Sequence, residues 1–144
     1  MKNADIIAKL PYSNPFLFVD EILQINAEGV TGTYNFDENL DFYKGHFKDN
    51  PVTPGVILTE VMAQIGLVCL GIYLANENFN MSASIALTST NIEFLKPVYP
   101  SEKVTVISNK IYFRFGKLKC NVIMRNDLGE EVCNGTIAGM VINK

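Results

Sequence analysis

Between Ser84 and Ile142, apolar and polar residues alternate in four runs: Ser84–Phe94, Lys103–Phe115, Lys117–Arg125 and Glu130–Ile142. Period-two alternation over this length predicts strands with one buried face. Gly116 marks a tight connection between the second and third runs, and Asn126-Asp127-Leu128-Gly129 marks another before the fourth. Nearer the N-terminus, Asp5–Leu10 predicts a short helix stopped by Pro11. Phe16–Gln24 (FLFVDEILQ) reads as an apolar strand, and Val30–Phe36 (VTGTYNF) as its return across the turn residues Asn26-Ala27-Glu28-Gly29. Asp37–Thr53, rich in Asp, Asn, Gly and Pro, predicts a long loop.

The pattern changes at Gly55. From there to Ala75 the chain reads GVILTEVMAQIGLVCLGIYLA, 21 residues with a single charge, Glu60, and no polar face. Pro54 suits the opening of a helix, and Asn76–Asn80 ends it. A helix apolar nearly all round either crosses a bilayer or lies inside a packed core. Glu60 and Gln64 sit within the run and no Lys or Arg flanks its ends closely, which favours the core. A strand pair, this helix and about four further strands in a meander predict one α+β domain over residues 1–144. Its antiparallel sheet curls around one long buried helix.

Composition adds exclusions. Of 144 residues, 48% are apolar and 19% charged, which supports a packed core over disorder. A net charge of −3 argues against a general nucleic-acid binder. Three cysteines (Cys69, Cys120 and Cys133) without CxxC spacing, and one histidine, supply neither a disulfide framework nor a zinc site. No apolar segment of signal-peptide length precedes Pro11, so a cytoplasmic protein without a membrane span is expected. The charge is unevenly spread: residues 1–93 carry −7, residues 94–126 carry +6 and the remainder −2. The positive block comprises Lys96, Lys103, Lys110, Arg114, Lys117, Lys119 and Arg125.

Candidate chemistry gathers around the start of the long helix. His46, the single histidine, lies in the loop segment Tyr43-Lys44-Gly45-His46-Phe47, fourteen residues before Glu60. A carboxylate in so apolar a helix is costly unless it is paired or functional. Gln64 follows at i+4 on the same helical face and can hold that carboxyl. The free N–H groups of Gly55 and Val56 point out of the helix N-terminus, where developing negative charge is favoured. A base, an acid and an oxyanion-stabilising helix end make the layout for proton abstraction beside a carbonyl.

Four stretches carry a family resemblance: Leu10-Pro11-Tyr12-Ser13-Asn14-Pro15-Phe16-Leu17-Phe18-Val19-Asp20, Gly45-His46-Phe47, the run Pro51–Gln64 (PVTPGVILTEVMAQ), and Phe94-Leu95-Lys96-Pro97-Val98-Tyr99-Pro100. Over about residues 8–126 the chain resembles the 3-hydroxyacyl-(acyl carrier protein) dehydratases, which have the hot-dog fold. The resemblance implies that His46 and Glu60 are the catalytic pair and that the Gly55 N–H binds the oxyanion. It also implies a homodimer whose sites draw the histidine and the carboxylate from opposite chains, with larger assemblies of dimers compatible. No metal or cofactor is implied.

The implied reaction is reversible dehydration of a (3R)-hydroxyacyl thioester to the trans-2-enoyl thioester, in fatty acid or related polyene and secondary lipid biosynthesis. Its acyl chain is expected beside the helix, against Val56, Gln64, Phe16, Phe47, Met62 and Phe94. Acyl carrier proteins are strongly acidic, so Lys96, Lys103, Arg114 and Lys117 are the expected docking residues. Lys48 stands where the family usually has proline, Tyr12 where histidine is common, Thr90-Asn91 where Asp-Lys is common, and Ser101-Glu102 where Gly-Asp is usual. These departures bear on the substrate and leave the catalytic groups intact. Two alternatives stay open: a hot-dog acyl-thioester hydrolase, and a non-catalytic dehydratase-like partner subunit.

Overall fold

The computed structural model describes residues 2–75 and 84–142. A short helix α1 (Asn3–Ala8) leads into the hairpin β1 (Glu21–Asn26) and β2 (Gly29–Asn35). The long helix α2 (Gly55–Ala75) follows, then β3 (Ser84–Phe94), β4 (Lys103–Arg114), β5 (Lys117–Arg125) and β6 (Glu131–Ile142). All pairings are antiparallel, in the order β1-β2-β4-β5-β6-β3. The expected α+β architecture, a sheet wrapped on one helix, is what the chain forms.

The predicted meander is corrected in one respect. β4, β5 and β6 do run as consecutive hairpins, but β3 pairs with β6 at the far edge, and β4 pairs with β2. Alternation identifies a strand and its buried face without naming its neighbour. Here α2, about 32 Å long at 1.5 Å per residue, carries the chain across the sheet before β3 begins.

A second correction concerns Phe16–Gln24, of which only the part from Glu21 is strand. The Phe16 carbonyl and the Phe18 N–H bond the Gln64 side chain, and ladder-like pairing starts only with Asp20 N–H donating to Thr33 O (2.9 Å). The long loop contains one 3-10 turn, Asp41–Lys44. The predicted helix end at Asn76–Asn80 lies outside the described residues.

α2 is long and apolar enough to cross a bilayer, yet it lies inside the sheet, with every residue from Val61 to Ile72 buried. That explains its lack of a polar face. Two glycines set how closely the sheet approaches. A Cβ added at Gly66 would stand 3.1 Å from Ser108 Cβ, and one at Gly71 would stand 2.5 Å from Ile85 Cδ1. Gln64–Cys69 forms a π-helical segment in the middle of α2, and Ser108 Oγ donates to the Gly66 carbonyl there (2.8 Å).

Candidate active site

His46 follows the 3-10 turn and is half-buried. Its Nδ1 lies 2.8 Å from the Val52 carbonyl, while the Val52 N–H donates back to the His46 carbonyl (2.9 Å). A carbonyl only accepts, so Nδ1 carries the proton of the neutral ring and the lone pair sits on Nε2. The Phe47 ring stacks on the imidazole, centroids 4.0 Å apart and planes 27° apart. Behind this loop, Thr53 is fixed by its N–H donating to Val98 O (2.8 Å) and by the buried contact between its Oγ1 and the Tyr43 hydroxyl (2.5 Å).

Thr53 leads directly to Pro54 and the start of α2. Ile57 and Leu58 N–H both donate to Pro54 O (2.9 and 3.1 Å), so the N–H groups of Gly55 and Val56 precede the helical ladder. Gly55 leaves room for its neighbour: an added Cβ would meet the Phe94 ring at 3.3 Å, a tight contact. The Phe94 ring therefore lies against the bare backbone of the helix end. A groove of about 430 Å³ opens here, between His46, Gly55 and Leu58 on one side and Phe94, Leu95 and Lys96 on the other.

Glu60 is one turn further on, half-buried, and is not among the groove's lining residues. Burial raises its carboxyl above the ordinary carboxylate range, and the hydrogen bond from Gln64 opposes that rise. Gln64 itself is completely buried. Its Oε1 accepts the Phe18 N–H (2.8 Å), which leaves Nε2 to donate to Phe16 O (3.0 Å) and Glu60 Oε2 (2.9 Å). Glu60 Oε2 therefore accepts from the amide, and Glu60 Oε1 has no protein donor among the described residues. Tyr12 stands nearby, its hydroxyl pushed up to about 12 by burial and by the Glu60 charge.

A half-buried carboxyl with a raised pKa, a histidine oriented by a backbone carbonyl and a helix N-terminus thus stand in one loop-helix unit. The FabA-like domain profile matches residues 10–126, a span that includes all of these groups. The chain belongs to the FabA-like family. Among its relatives is the 3-hydroxyacyl-(acyl carrier protein) dehydratase FabZ of Caldicellulosiruptor saccharolyticus, 33% identical over 135 residues and 92% of each chain.

Solved structures agree on the fold. The dehydratase heterocomplex ApeI:P from Xenorhabdus doucetiae superposes with a TM-score of 0.82 at 14% identity, over 100% of this chain and 93% of that one. A hypothetical thioesterase with coenzyme A from Streptococcus pneumoniae gives 0.63 at 16% identity over 86% of each. A dehydratase complex and a thioesterase are thus both similar to this chain in fold.

Not every residue expected at the FabA-like site gathers in the groove. His46, Gly55 and Phe94 line it together, Phe47 stacks beside it, and Val56 is 77% exposed on the first turn of α2. Phe16 is half-exposed on the Glu60 side and packs on Phe18 (5.0 Å between centroids). Met62 is fully buried, its Sδ 3.3 Å from Cys133 Sγ, and Gln64 uses its amide on the protein's own backbone and on Glu60.

Of the basic residues, Lys96 lines the groove and pairs with Glu130 (2.7 Å). Lys103 and Arg114 occupy opposite ends of β4, about 36 Å apart at strand spacing, and Lys117 faces Arg114 across the hairpin. Within one chain the four do not form a single patch. The sequence reading missed Val52, which aims His46 through a backbone carbonyl and so leaves no side-chain signal. It also missed Leu58 and Leu95, whose apolar character is shared with the whole neighbourhood.

Proposed function

We propose that the protein is a 3-hydroxyacyl-(acyl carrier protein) dehydratase of fatty acid biosynthesis, converting a (3R)-hydroxyacyl thioester reversibly to the trans-2-enoyl thioester. The observation that carries this reading is the Val52 carbonyl 2.8 Å from His46 Nδ1, which accepts from that nitrogen and turns Nε2 toward the role of base. Loss of the C2 proton moves an electron pair into an enolate, and its charge falls on the thioester oxygen. The Gly55 N–H at the start of α2 stabilises that charge, aided by the helix dipole. Glu60, in its protonated form, gives its proton to the departing 3-hydroxyl. Desolvation favours the protonated form needed for this step.

The active unit in this reading is a homodimer with shared sites. Three facts support it: the groove that holds His46 lacks Glu60, Val56 is bare on an apolar helix, and β3 is an edge strand eleven residues long. A two-fold pairing of β3 with its copy runs antiparallel. It brings the partner's β4–β5 hairpin to the same end of the joined sheet as this chain's Lys96. Lys96 and Lys103 of one chain, with Arg114 and Lys117 of the partner subunit, then form the docking face for the acidic carrier. The three cysteines are buried and free, in keeping with a cytoplasmic location.

The test is product analysis with carrier-bound 3-hydroxyacyl and saturated acyl substrates. Enoyl product that disappears in both His46→Ala and Glu60→Gln is expected. Free thiol released without enoyl product makes the protein a thioesterase, and wild-type rates in both variants overturn the assignment. Mixing the two inactive variants and allowing subunits to exchange restores about a quarter of the activity if the sites are shared, because half the dimers then hold one intact site. Reversing Lys96 and Arg114 to Glu raises KM for the carrier-bound substrate and spares a short thioester mimic.

A further inference from the structure

The Phe47 ring is half-exposed and contributes little to the core, yet its backbone is held on both sides: its N–H donates to Asn50 O (2.9 Å) and its carbonyl accepts the Asn50 N–H (3.0 Å). Its fixed neighbour is the His46 imidazole, stacked face to face at 4.0 Å. The imidazole is pinned independently at its edge by Val52 O (2.8 Å). One ring face and the Nε2 edge remain for substrate.

We propose that Phe47 is a positioning residue that stabilises the positive charge His46 acquires when it takes the substrate proton. The inference rests on the reading of His46 as the base. When the C2–H bond breaks, the proton goes to Nε2 and the electron pair to the enolate, so a neutral imidazole becomes an imidazolium. An aromatic face carries negative electrostatic potential and attracts a cation far more than a neutral ring. The stack therefore strengthens as charge develops, and an interaction stronger in the transition state than in the ground state raises kcat.

The experiment replaces Phe47 in the full chain with mono-, di- and trifluorinated phenylalanine, which keep the ring's shape while draining its face of electron density. Dehydration of carrier-bound 3-hydroxyacyl substrate is followed at about pH 8, above the ordinary imidazole range. A stepwise fall in kcat, reaching about ten-fold at trifluorination, with KM unchanged, is expected. Phe47→Leu falls at least as far.

The same series at Phe113, which packs against the core at the far end of β4, serves as the comparison and leaves kcat flat. A flat series at Phe47, a change confined to KM, or an equal fall at Phe113 overturns the proposal. His46→Ala separates the two levels of inference. An inactive His46→Ala with a flat Phe47 series refutes the stack alone, whereas an active His46→Ala removes the base and the stack together.

Discussion

Gln64 Nε2 lies 2.9 Å from Glu60 Oε2, and the same amide holds the backbone of Phe16 and Phe18. One buried side chain thus ties the segment Phe16–Phe18 to the Glu60 carboxyl.

Gln64→Leu removes all three bonds. The buried Phe18 N–H and the part-buried Phe16 carbonyl lose their partner, which costs about 1–3 kcal/mol in urea denaturation. The bond from Gln64 lowers the Glu60 pKa, so its loss moves that pKa further up. The alkaline limb of the pH–rate profile, where the acid is lost, then shifts to higher pH.

Glu60→Gln exposes the stability consequence of the same desolvation. The folded-state pKa of Glu60 is raised above 4.5, so its favourable contribution is complete below that pH. It is lost as pH rises through the folded value. Glu60→Gln and the wild type should have equal midpoints in acid, with the variant more stable at neutral pH. A gap that closes as pH rises contradicts the sign.

Gly55→Ala puts a methyl group 3.3 Å from the Phe94 ring, so ring and helix end must part by a few tenths of an ångström. A fall in kcat of up to about ten-fold is expected from steady-state kinetics if the strain is taken up by the helix end and shifts the Gly55 N–H, since losing an oxyanion donor costs more than that. Adding Phe94→Leu to Gly55→Ala, which makes room for the methyl, should recover part of the loss.

Ser101 adopts φ +73° just before β4. A side chain in the left-handed region is strained, while glycine carries a larger entropy cost on folding. The balance favours Ser101→Gly by about 0.5–1 kcal/mol, or ~2–4 °C in Tm for a chain of this size. Differential scanning calorimetry reads it directly.

Much of this molecule is written locally. β3 and β5 have the predicted ends, because alternation and the turn at Gly116 are properties of neighbouring residues. The partner of β3 is not local, and its pairing with β6 is decided by where α2 delivers the chain. The site divides in the same way. His46, Glu60 and Gly55 stand out as residue types in unusual places. Val52 acts through its backbone, and Phe16–Asp20 reads as strand until the Gln64 amide competes for its hydrogen bonds.

The π-helical segment Gln64–Cys69 makes α2 two helices joined out of phase. Each residue of an α-helix turns the side chains by about 100°, so the wider turn changes the rotational setting of Leu70–Ala75 relative to Gly55–Ala63. The first half is free to set the direction of Glu60, and the second to seat Gly71 under Ile85 by the needs of close approach. Removing a single residue from the segment would rephase one half against the other, so this short stretch should tolerate substitution far better than deletion.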